Sequence, residues 1–82
     1  MITPRKFVEI FVEKDCPSCE QVMGVIHGFS GNPAIELRVY DREKNLEAFQ
    51  ERQVLICPAT FVNHRLVFYG AFTLSEFTQY LA

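Results

Sequence analysis

The chain has 82 residues, 49% apolar and 22% charged, with a formal net charge of −2, which describes one small folded domain and excludes a disordered chain. No basic cluster is longer than "PRK", so a nucleic-acid face or an anionic-membrane surface is excluded. No apolar run approaches a bilayer span or a secretory leader, so residues 1–82 are expected to form a single cytoplasmic domain, monomeric, with no nucleic acid and no membrane among its partners.

The first element is "KFVEIFVEK". Phe7, Val8, Ile10, Phe11 and Val12 make a nearly continuous apolar run rich in aromatic and β-branched residues, the signature of a central strand buried on both faces. After Asp15 the period changes. Cys19, Val22, Met23, Ile26 and Phe29 recur at three- and four-residue steps and predict one face of a helix that "SGNP" ends. "AIELRVYD" then alternates, with Ile35, Leu37 and Val39 on one side, as a peripheral strand does. Asp41 is expected to cap a second helix running to about Gln53, with Leu46 and Phe49 toward the core and an ordinary solvated charge run on its other face. "ATFVN" and "LVFYG" read as strands joined by a tight turn at Asn63-His64. "TLSEFTQYLA" opens with a capping box, Thr73 with Glu76, and places Leu74, Phe77 and Leu81 on one face. The order β-α-β-α-β-β-α needs one parallel crossover and one antiparallel hairpin. The predicted fold class is therefore α/β, a four-stranded mixed sheet flanked by helices.

Three cysteines is an odd number, unlike the dense, even set of a disulfide-stapled secreted domain. Cys16-Pro17-Ser18-Cys19 stands where the central strand gives way to the first helix, with Pro17 in the first turn, where a proline is tolerated. Backbone N–H groups of the helix start point at Cys16 and favour its thiolate. Cys19, three residues on, shares the helix face, so the spacing suits a reversible disulfide.

Taken together, the strand, the Cys16-Pro17-Ser18-Cys19 pair, the helix and the later "VLICPATFVN" leading into a hairpin and last helix resemble the thioredoxin fold, with glutaredoxins and small glutaredoxin-like thioredoxins as the nearest branch. The resemblance implies a thiol–disulfide oxidoreductase in cell redox homeostasis and electron transport. Cys16 is then the nucleophile, Cys19 the resolving thiol, and Pro58 a cis proline presenting extended backbone beside them. It further implies a disulfide-containing protein or small-molecule substrate, an upstream reductant for which glutathione is a candidate, and no cofactor beyond the Cys16–Cys19 disulfide. Pro17, Cys57, Pro58 and Gly70 are the expected substrate contacts, on an exposed apolar patch around Pro58, Ala59 and Gly70; Lys14 and Thr73 are further candidates for holding glutathione.

The chain departs from thioredoxins in having Asp15 before the motif and no tryptophan. Ile10 stands where thioredoxins bury an aspartate, so no carboxylate proton shuttle is expected. Cys57, just before Pro58, is open to three readings: a small apolar stand-in, a third redox thiol, or a ligand joining Cys16 and Cys19 in a zinc or iron–sulfur site. In the last case the protein is a metal-binding module. His27 and His64 read as surface residues and Met23 as core filling.

Overall fold

The computed structural model describes residues 6–29 and 31–81. Pro4 and Arg5 of the short basic run, Ser30 of the stretch ending the first helix, and Ala82 lie outside the described residues. Seven elements follow in order: β1 (Lys6–Val12), α1 (Pro17–His27), β2 (Ile35–Asp41), α2 (Leu46–Arg52), β3 (Ala59–Val62), β4 (Arg65–Tyr69) and α3 (Leu74–Leu81). The sheet order is β2-β1-β3-β4. β1 is parallel to β2 and antiparallel to β3, and β3 is antiparallel to β4. This is the thioredoxin-like arrangement, with β1 inside the sheet and β2 at its edge.

Alternation along β1 divides the core in two. Val8 and Ile10 join Val22 and Ile26 of α1, Val62 of β3, Phe72, and Phe77 of α3. Phe11 belongs to the opposite cluster with Phe49 of α2, Phe61, Ala59, Cys57 and Cys19. Phe11 packs edge-on against Phe49 and Phe61, ring centres 5.0 and 5.4 Å apart, an arrangement that the aromatic quadrupole favours. Helices therefore cover both faces, α1 and α3 on one and α2 on the other.

Several local expectations change. Asp41 ends β2 instead of capping a helix; its carboxylate accepts from the Glu43 and Lys44 backbone N–H groups and closes a turn. The helix starts at Leu46, with Asn45 as its cap, and is only seven residues long. So short a helix turns Phe49 inward but leaves Leu46 53% exposed, outside the core. Leu74, likewise expected in the core, is 56% exposed at the first position of α3, whereas Phe77 is fully buried. The Thr73–Glu76 capping box is present: the Thr73 N–H donates to the Glu76 carboxylate, and the Glu76 N–H donates to Thr73 Oγ1. The hairpin turn forms at Asn63 and His64, both with positive φ, with the Asn63 side chain accepting from the Phe7 N–H.

Candidate active site

At the end of β1 the chain turns through Asp15, which has φ +55°, and enters α1 at Pro17. Cys16 is the helix cap, with extended backbone; its Sγ accepts the Cys19 N–H at 3.1 Å. Cys16 and Cys19 are joined as a disulfide with Cα atoms 5.2 Å apart. Cys16 is half-buried and Cys19 buried, while Pro17 and Ser18 are exposed. An accessible sulfur at the helix N-terminus backed by an enclosed partner is the asymmetry that thiol exchange needs.

The segment before β3 forms the second wall. The Cys57–Pro58 bond is cis, and the Cys57 carbonyl oxygen lies 4.0 Å from Cys16 Sγ. The Gly70 N–H donates to the Pro58 carbonyl at 2.8 Å, from a backbone with φ +106° that side-chain-bearing residues rarely adopt. Of the expected substrate contacts, Pro17 adjoins Cys16 in the chain, Cys57 faces it through its carbonyl, and Gly70 is tied to Pro58, but Pro58 and Ala59 are buried. The exposed apolar surface here belongs instead to Leu55, at 81%, and Ile56, at 62%. Tyr69 adjoins them, its hydroxyl accepting from the Ile56 N–H.

Cys57 does not complete a three-thiolate site. Its carbonyl faces Cys16, while its Sγ meets Arg42 Nη2 at 3.5 Å. Among the described residues no three Cys, His, Asp or Glu side chains converge to hold a metal ion. A guanidinium cation at the third sulfur is also the wrong neighbour for a bound metal cation. Burial pushes the Cys57 thiol above its ordinary range, and the Arg42 charge opposes that shift.

Lys14 and Thr73 are both committed elsewhere. Lys14 pairs with Glu43 at 2.9 Å, a hydrogen bond that raises its pKa, and Thr73 caps α3. His27 and His64 are exposed, as expected, and Met23 is half-buried.

Sequence reasoning missed two arginines that it treated as part of a solvated run. Arg42 bonds Glu13 at 2.8 Å and the Leu55 carbonyl at 3.0 Å besides meeting Cys57. Arg52 makes a two-point pair, at 2.6 and 2.8 Å, with Glu9. Glu9 is the carboxylate that the central strand does bury, one position before Ile10. It points to the α2 side and is engaged by Arg52 and by the Tyr40 hydroxyl. Glu9 itself was the available signal: a charge within a doubly buried strand requires a partner.

A thioredoxin-domain family matches residues 6–82, and the chain belongs to that family. No curated protein sequence matches it. Among solved structures it is similar to an alkylhydroperoxide reductase of Enterococcus faecalis, at 27% identity and TM-score 0.80, covering 96% of this chain and 38% of that one. It is also similar to a protein disulfide oxidoreductase of Aeropyrum pernix, at 26% identity and TM-score 0.77, covering 94% and 36%. Fasciola hepatica thioredoxin, at 21% identity and TM-score 0.75, covering 94% and 78%, shares the fold. The chain thus spans little more than a third of the first two. Among the described residues no helix is long and apolar enough to cross a membrane.

Proposed function

We propose that the protein is a thiol–disulfide oxidoreductase whose working group is the Cys16–Cys19 pair, acting as one catalytic domain and as a monomer in a reducing, cytoplasmic compartment. The observation that carries this reading is the placement of Cys16 at the start of α1 with the Cys19 N–H on its sulfur. That N–H and the helix terminus stabilise a Cys16 thiolate once the pair is reduced. The thiolate attacks one sulfur of a substrate disulfide; a Cys16–substrate bond forms, and the other substrate sulfur leaves as a thiolate that takes up a proton. Cys19, deprotonated, then attacks Cys16 Sγ, freeing the second substrate thiol and closing Cys16–Cys19. Two electrons pass from the protein dithiol to the substrate.

The exposed side chains of Leu55 and Ile56 give a protein substrate an apolar landing beside the dithiol. Similarity to a protein disulfide oxidoreductase at 26% identity supports the same reading. An upstream thiol donor must return the disulfide to the dithiol.

Disulfide reduction is expected to vanish in Cys16→Ser, whereas Cys19→Ser retains the first attack and accumulates mixed disulfides visible by mass. Full activity in Cys16→Ser would sink the mechanism.

A further inference from the structure

Arg42 is the first residue after β2, and its backbone N–H donates to the Val12 carbonyl at 3.1 Å, so it is anchored at the end of β1. From there its side chain, 32% exposed, reaches both walls of the dithiol site. Nε bonds Glu13, three residues ahead of Cys16, at 2.8 Å. Nη2 bonds the Leu55 carbonyl at 3.0 Å and meets Cys57 Sγ at 3.5 Å. The guanidinium lies over the Phe49 ring, 4.8 Å from its centre.

The segment so held needs holding. Leu55 and Ile56 turn their side chains to solvent, so packing fixes neither. Buried Val54 and Cys57 anchor the stretch at its two ends, and between them it is held by the Ile56 N–H on the Tyr69 hydroxyl and by Arg42 on the Leu55 carbonyl. A half-exposed ion pair adds little to stability, so a three-point clamp here has another use. A planar guanidinium can donate in several directions at once; a lysine ammonium reaching Glu13 cannot also hold the Leu55 carbonyl and the Cys57 sulfur.

We propose that Arg42 is a positioning residue of the dithiol site, holding the turn that carries Cys16 and the segment that leads into Pro58 at a fixed separation, and so selecting for protein disulfides, whose chains must fit between them. This rests on the oxidoreductase reading and deepens it. A small disulfide needs only the Cys16 sulfur. A protein disulfide brings neighbouring residues that must meet Leu55 and Ile56, and its binding therefore depends on where those residues stand.

The test compares wild type, Arg42→Ala and Arg42→Lys on insulin, with dithiothreitol as the reductant, and on 5,5′-dithiobis(2-nitrobenzoate) in single turnover by the prereduced protein freed of dithiothreitol. Arg42→Ala is expected to raise KM for insulin about tenfold, within the hundredfold that a misplacement of ~1 Å can cost, with a smaller change in kcat. The loss is greater on insulin than on the small disulfide, and Arg42→Lys recovers only part of it. A second readout needs no turnover. In a Cys16→Ser/Cys19→Ser background, Arg42→Ala raises the limiting high-pH rate of Cys57 alkylation by iodoacetamide, because the sulfur loses the guanidinium that meets it. The pH at which alkylation sets in moves up, because the same charge favoured the thiolate, and the urea midpoint moves little. A KM for insulin within about twofold of wild type in Arg42→Ala, or equal losses on both disulfides, overturns the proposal. An unchanged limiting rate of Cys57 alkylation overturns it as well. A wild-type protein that reduces neither disulfide refutes the oxidoreductase reading, and the alkylation arm still decides whether Arg42 holds the segment.

Discussion

Arg52 and Arg42 reach back to glutamates four residues apart, Glu9 within β1 and Glu13 just past its end, with Phe11 between them. Each guanidinium also lies over an aromatic ring, Arg52 over Phe61 and Arg42 over Phe49. The two clamps have similar chemistry but different depth. The Glu9 side chain is 2% exposed and that of Glu13 36%. A buried carboxylate without its cation is left desolvated and uncompensated, whereas a half-exposed one turns to water. The deep pair therefore holds the fold, and the shallow pair is free to hold the site.

Breaking the deep pair has the largest expected effect. Among the described residues, Arg52→Ala leaves Glu9 with the Tyr40 hydroxyl and the nearby ring of His64, 3.8 Å away. The expected cost is about 3–5 kcal/mol, read from the urea midpoint. Arg42→Ala is expected to cost about 1 kcal/mol or less on the same measurement. Equal losses from the two arginines would erase the distinction between the clamps.

Tyr40→Phe sharpens the comparison. It removes a hydroxyl that donates to Glu9 at 3.0 Å, with an expected cost of about 1.5 kcal/mol for a bond to a charged group. Burial first, and the bond to Glu9 second, push the Tyr40 pKa above the ordinary tyrosine range. Because the folded-state value is raised, this contribution is fully present below that range and fades as pH rises through and above it. The gap in urea midpoint between wild type and Tyr40→Phe should therefore narrow in strong alkali; a constant gap would contradict the assignment.

The smallest effect is expected at Leu46→Gln. As an exposed residue it should cost within about 0.5 kcal/mol, not the ~2–5 kcal/mol of a truncated core leucine. A core-sized loss in thermal unfolding would restore Leu46 to the interior.

Most of the fold was legible because its signals are local. The apolar run of β1, the alternation of β2 and the Thr73–Glu76 box each fit one element. The start of α2 was not legible, since Asp41 followed by polar residues describes a helix cap and a closed turn equally well; in both, the side chain accepts nearby backbone N–H groups. At the site, the dithiol and Pro58 were readable as a motif. Arg42 and Arg52 were not, because their carboxylate partners lie 29 and 43 residues away. The parallel pairing of β1 with β2 brings Arg42 to Glu13, and the packing of α2 on the sheet brings Arg52 to Glu9. The position of Cys57 before Pro58 was visible, but not that its sulfur turns toward Arg42.

The most direct test of the central claim is a redox titration in defined thiol buffers, with free thiols trapped by alkylation and counted by mass. The account predicts that Cys16 and Cys19 lose alkylation together in one two-electron step, with Cys57 titrating in neither direction. If the pair stays reduced across the series, or if all three thiols are protected until a chelator is added, Cys16–Cys19 is not the working group and the oxidoreductase reading is wrong.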